Sequence, residues 1–183
     1  MHHIPNIICL LRIALIVPIL NALRGGHYVL ALVLCIVAAV SDSLDGYLAK
    51  RFAWSSALGR FLDPLADKLL VLSLYVQSAW LGIVPWWLTA AVVARDVMIG
   101  LGALIYRLWF GPLHGRPARI SKFNTGAQLV YVMLVLLNLG CGFPPVEVLA
   151  ASAIVVFVST ILSGWHYLGT FTRRAWVAPA QPA

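Results

Sequence analysis

Six acidic residues occur in the 183-residue chain, and five of them, Asp42, Asp45, Asp63, Asp67 and Asp96, stand in or at the ends of long apolar runs. A carboxylate in that setting is costly, about 2.5 to 3.5 kcal/mol at the centre of a membrane helix, and marks a polar interior and a function more often than a chance substitution. Asp42, Asp45, Gly46 and Ala49 follow at i, i+3, i+4 and i+7, the spacing of a single helix face. Gly59, Asp63 and Asp67 repeat every fourth residue after a short connection. Two antiparallel helices would bring these faces together, with small residues leaving room for a ligand. Four converging carboxylates repel one another unless a cation compensates, and an all-oxygen donor set selects Mg²⁺ or Mn²⁺, with room for two ions. Such a centre suits phosphoryl-type transfer, where metal neutralises phosphate charge and a carboxylate accepts the proton of the attacking alcohol.

The elements that must hold these carboxylates are membrane spans. The chain is 62% hydrophobic and 10% charged, with mean hydropathy +0.92, against about 25% charged residues in a soluble domain. Apolar runs over Cys9 to Leu23, Tyr28 to Ala49, Phe61 to Leu81, Trp86 to Trp109, Phe123 to Leu139 and Val146 to Tyr167 predict an all-α polytopic membrane protein. Six transmembrane helices would form one bundle and one domain over residues 1–183, with a flexible tail over 175–183. The apolar N-terminal run lacks a basic start and a small-residue cleavage site and reads as a retained helix, not a targeting segment.

The net charge of +7 does not indicate nucleic acid, because the cations are dispersed between spans. Lys50, Arg51, Arg60, Arg107, Arg116, Arg119, Lys122, Arg173 and Arg174 fall on one side of an even-numbered bundle and Arg24 on the other. The positive-inside rule therefore puts both termini and the acidic cluster near the cytoplasmic face. Cys9, Cys35 and Cys141 and the five histidines show no zinc or disulfide spacing.

The run Asp42-Ser43-Leu44-Asp45-Gly46-Tyr47-Leu48-Ala49-Lys50, followed at fixed spacing by Gly59, Asp63 and Asp67, resembles the signature of the CDP-alcohol phosphatidyltransferases, D-x2-D-G-x2-A-R-x8-G-x3-D-x3-D. The one departure is Lys50 in place of arginine, which keeps the charge and loses the planar fork. The resemblance implies a six-helix homodimer that moves the phosphatidyl group from CDP-diacylglycerol to an alcohol, releasing CMP. It further implies Asp42, Asp45, Asp63 and Asp67 as ligands of two metals, Asp67 as the base with Asp63 beside it in the catalytic centre, and Asp45, Gly46, Ala49 and Gly59 around the cytidine nucleotide. Lys50 would act on phosphate as a point charge, or adjacent Arg51 would replace it.

Similarity continues through Pro5-Asn6 with Arg12, Ala66-Asp67-Lys68, Arg95-Asp96 and Ser121-Lys122-Phe123-Asn124-Thr125-Gly126-Ala127-Gln128. These stretches resemble the glycerol-phospholipid branch of the family, within which Arg95-Asp96-Val97-Met98 and the run Ile120 to Thr125 are most similar to CDP-type cardiolipin synthases, whose acceptor is phosphatidylglycerol. Phosphatidylglycerophosphate synthases, which use glycerol 3-phosphate, share the layout and usually carry an arginine where this chain has Ala103. Asn6, Arg12, Arg95, Arg116, Lys122 and Asn124 are the candidate acceptor and phosphate contacts. Rival readings are an intramembrane prenyltransferase, which needs a second aspartate motif that nothing after Asp96 supplies, and an ion-coupled transporter, whose acids would sit at the midplane and not at one end.

Overall fold

The computed structural model describes residues 4–52, 59–110 and 119–177; side chains are described within these except at 4–9, 42–52, 59–65, 106–108, 110, 119 and 170–177. Six helices run in order: α1 (Ile4–Arg24), α2 (Tyr28–Phe52), α3 (Gly59–Trp80), α4 (Trp86–Phe110), α5 (Arg119–Cys141) and α6 (Val146–Val177). No strand occurs among the described residues.

Glycine closes three of these helices at one end of the bundle. Gly26 has φ 71° and Gly82 has φ 71°. At α1 the amide of His27 donates to the Ala22 carbonyl and that of Gly26 to Leu23; at α3, Ile83 donates to Ser78 and Gly82 to Ala79. Both are Schellman caps, which need a left-handed residue that glycine supplies without strain. Gly142, φ 73°, ends α5, where Asn138 Nδ2 reaches the Pro144 carbonyl at 2.7 Å. The tight turns force antiparallel neighbours, so the α2–α3 and α4–α5 connections fall at the other end, with residues 53–58 and 111–118 outside the described set.

Packing follows residue size. α1 lies against α2 and α3, α5 bridges α2 and α6, and α4 packs mainly on α6. α2 presents a buried seam of Ala31, Cys35 and Ala38, opposite Ile19, Ala22 and Leu23 of α1 within one continuous core. Small residues let helix backbones approach, which matters in lipid because association rests on van der Waals contact instead of water exclusion. The outward faces are apolar too: Val33, Val37 and Val40 of α2, Leu101 and Ile105 of α4, and Ile154, Val158, Ile161 and Leu162 of α6 are all exposed. A surface so continuous in apolar side chains belongs against acyl chains.

Trp86–Ile105, Ile120–Cys141 and Val146–Gly169 are long and apolar enough to cross a membrane, and Tyr28–Ser41 is a shorter apolar helix. The expected six helices are present, with some extended ends. α1 begins at Ile4 and α5 at Arg119, so Lys122 sits in the first turns of a helix and not in a loop. α6 continues to Val177, three residues into the stretch expected as a flexible tail, because no proline interrupts it before Pro179. Residues 178–183 lie outside the described set.

Candidate active site

The seam of α2 leads to the acidic cluster. Ala31, Cys35 and Ala38 are fully buried, and Asp42, Asp45 and Ala49 continue the same three- and four-residue steps along one unbroken helix. On α3, Gly59 and Asp63 precede Asp67 at four-residue intervals. The backbone thus puts all four aspartates on two helices joined by a short connection. The side chains of Asp42, Asp45, Gly46, Ala49, Lys50, Arg51, Gly59 and Asp63 lie outside the described set. Asn6 and Arg116 do as well.

Asp67 is described, and its partner comes from α1. Arg12 Nη1 donates to Asp67 Oδ1 at 2.5 Å, with the arginine side chain 2% exposed and the aspartate 40%. The arginine is fixed in the bundle interior while the aspartate is partly exposed. A charge-assisted hydrogen bond of this kind restricts the carboxylate's rotamer. Arg12, expected as a phosphate contact, is therefore placed against the expected base.

Asp67 lines a cavity of about 580 Å³ bounded by α1, α2, α3 and α5. Arg12, Asp67, Lys68, Ser121, Lys122 and Thr125 supply its polar lining; Ala38, Ala39, Leu70, Val71 and Leu129 supply the apolar part. Ala38 and Ala39 connect it to the α2 seam. The cavity accordingly has a charged mouth and a hydrocarbon wall, the division that a lipid with a phosphate headgroup requires.

A second polar layer ties α3, α4, α5 and α6 behind this cavity. Arg95 is 4% exposed. Its Nη1 donates to Asp96 Oδ1, its Nη2 to Ser121 Oγ at 2.6 Å and Ser163 Oγ at 2.5 Å, and its Nε to Ser163 Oγ at 3.2 Å. Asp96 Oδ1 also accepts from Lys68 Nζ at 2.8 Å. Every nitrogen of the Arg95 guanidinium is engaged inside the bundle, and Arg95 is not among the residues lining the cavity. Asn124 is fully buried, and its Oδ1 accepts from Ser159 Oγ at 2.7 Å and Thr160 Oγ1 at 3.0 Å. Of the candidate acceptor contacts, Arg12 and Lys122 line the cavity, whereas Arg95 and Asn124 brace α5 and α6. Sequence reasoning did not single out Ser159, Thr160 or Ser163, whose spacing on α6 is that of any small-residue helix face. Lys68 carried its signal in the Ala66-Asp67-Lys68 stretch that resembles the family.

A sequence profile of the CDP-alcohol phosphatidyltransferase family matches residues 2–169. The chain belongs to this family. Among relatives of this CDP-alcohol phosphatidyltransferase, a cardiolipin synthase (CMP-forming) from Streptomyces coelicolor is 36% identical over 96% of the chain and 78% of its own length. A probable phosphatidylglycerophosphate synthase from Mycobacterium tuberculosis is 30% identical over 93% of the chain and 82% of its own length. A probable cardiolipin synthase (CMP-forming) from Drosophila melanogaster is 35% identical over 73% of the chain, which spans 46% of that protein.

The donor set of this phosphatidyltransferase suits a hard divalent cation, since its acidic helices offer carboxylate oxygen without neighbouring cysteine or histidine. Among the described residues no group of three ligating side chains assembles, Asp67 being the one member of the four whose side chain is described.

Proposed function

We propose that this chain transfers the phosphatidyl group of CDP-diacylglycerol to phosphatidylglycerol, giving cardiolipin and CMP, at a site near the cytoplasmic face of a membrane. The observation that carries the reading is Asp67, held by buried Arg12 at the mouth of a cavity that is charged at one side and apolar at the other. The Asp67 carboxylate takes the proton of the acceptor hydroxyl. The alcohol oxygen then bonds to the phosphorus of the phosphatidyl group, the bond from that same phosphorus to the bridging oxygen breaks, and CMP leaves with the bridging oxygen. Arg12 keeps the carboxylate aimed at the hydroxyl. Asp42, Asp45, Asp63 and Asp67 would hold Mg²⁺ or Mn²⁺, which would neutralise diphosphate charge and stabilise the leaving CMP. Gly46, Ala49 and Gly59 would give the cytidine room to approach the helix backbones, with Asp45, Lys50 and Arg51 around it.

The apolar wall of Leu70, Val71 and Leu129 supports a lipid acceptor, as does the likeness to the Streptomyces coelicolor cardiolipin synthase. Glycerol 3-phosphate is the second reading, supported by the likeness to the Mycobacterium tuberculosis protein. Purified protein given CDP-diacylglycerol, Mg²⁺ or Mn²⁺ and each acceptor in turn should release CMP faster with phosphatidylglycerol. Faster release with glycerol 3-phosphate moves the acceptor to the second reading, and no release with either removes the transferase reading.

A further inference from the structure

We propose that Lys68 is the residue that binds the acceptor's phosphate, with Asp96 and Arg95 as the positioning pair that holds it on the far wall of the cavity. This rests on the transferase reading above for the word acceptor, and on geometry alone for the anion site. Lys68 lines the cavity and is 45% exposed, so its ammonium has donors free for a ligand beyond its single bond to Asp96 Oδ1 at 2.8 Å.

Consecutive helix residues diverge by about 100°. Lys68 thus projects from α3 away from the direction of Asp67, and its ion pair shows where: toward α4. Lys122 and Ser121 bound the same cavity from α5. Lys68 and Lys122 thus line the cavity from α3 and α5, on elements other than the α2 helix that carries Asp42 and Asp45. A diphosphate engaged through the four aspartates would draw on carboxylates alone, which leaves these cations for a second phosphate.

Charge arithmetic points the same way. Asp96 is 14% exposed and its Oδ1 is shared between Lys68 and Arg95, so the three groups sum to one positive charge. Arg95 cannot turn to a ligand without abandoning Ser121 and Ser163. Lys68 can, and the positive charge left over by the trio is expressed at the cavity through it. The phosphate could be a lipid phosphodiester, as in phosphatidylglycerol, or a soluble phosphomonoester, as in glycerol 3-phosphate.

The test is direct binding to the full chain in nanodiscs of neutral phosphatidylcholine, with phosphatidylglycerol incorporated in one arm and glycerol 3-phosphate added in the other. Lys68→Met should weaken whichever anion binds by tenfold or more, Lys68→Arg should restore most of it, and CDP-diacylglycerol binding should stay within about threefold of wild type. Asp96→Asn should weaken the same anion severalfold in wild type and add nothing in the Lys68→Met background, which a purely structural role for Asp96 does not produce. Wild-type protein that binds neither anion overturns the proposal, as does equal affinity in Lys68→Met or an equal loss for acceptor and CDP-diacylglycerol. Lys68-dependent anion binding without CMP release, in contrast, leaves the site standing and sinks the transferase reading alone.

Discussion

Replacing Arg12 by methionine isolates what the buried arginine does for Asp67. The pair is short, Nη1 to Oδ1 at 2.5 Å, and asymmetric, with 2% exposure on one side and 40% on the other. A hydrogen bond between charged groups contributes about 1.5 to 3 kcal/mol net. Because water reaches Asp67 and replaces part of that interaction, the lower part of the range applies, about 1 to 2 kcal/mol. Methionine fills much of the arginine stem's volume and brings no buried charge, so the bundle should assemble with a modest loss of melting temperature. If the bond serves to hold the base oriented, the same 1 to 2 kcal/mol appears in the barrier, an approximately 5- to 30-fold lower kcat. Steady-state CMP release at varied acceptor concentration separates the alternatives. A fall in kcat at near-constant acceptor KM is expected, with Arg12→Lys intermediate because it keeps the charge and loses the fork. A tenfold rise in acceptor KM at unchanged kcat refutes the reasoning and returns Arg12 to the acceptor-phosphate role that its sequence context suggested.

Other consequences follow from packing and chemistry. A Cβ at Gly140 would stand 2.7 Å from Val29 Cγ2 and 3.3 Å from the Val29 amide nitrogen, so Gly140→Leu should force α2 and α5 apart and cost about 1 to 3 kcal/mol, read as a lower melting temperature in detergent; an unchanged melting temperature contradicts the close approach. Arg95→Met leaves Asp96 with Lys68 alone and removes the ties to Ser121 and Ser163, a loss of about 1.5 to 3 kcal/mol that should appear as a lower melting temperature, whereas unchanged stability would show that the layer is dispensable. Chelation by EDTA should abolish CMP release, and Mn²⁺ or Mg²⁺ should restore it; activity surviving exhaustive chelation counts against the all-oxygen metal centre.

The helices were legible because lipid imposes a simple rule: each backbone group must be satisfied within its own segment, so apolar length alone marks six elements, and glycines at 26, 82 and 142 mark where three of them stop. The α2 seam was legible for a related reason, since Ala38, Asp42, Asp45 and Ala49 obey one helical period whatever surrounds them. The pairings were not. Arg12 and Asp67 are 55 positions apart, and Arg95 and Ser163 are 68 apart. Nothing local distinguishes an arginine that grips phosphate from one that braces its own bundle, because both need burial and a polar neighbour. Helix ends also moved: Arg119 and Lys122 read as loop cations in sequence, while α5 takes them into its opening turns. The charged residues that looked alike in sequence thus divide in three dimensions into a cavity wall, Lys68 and Lys122, and internal struts, of which Arg95 is the clearest.

The central claim is that Asp67 accepts the proton of the attacking alcohol, and Asp67→Asn tests it most directly. The asparagine keeps size and hydrogen-bonding reach toward Arg12 while removing the basic oxygen. CMP release from CDP-diacylglycerol, with phosphatidylglycerol and Mn²⁺ saturating and the variant's elution profile matching wild type, should fall by about 10²- to 10⁴-fold. Release within fivefold of wild type by a well-folded Asp67→Asn protein would contradict the account.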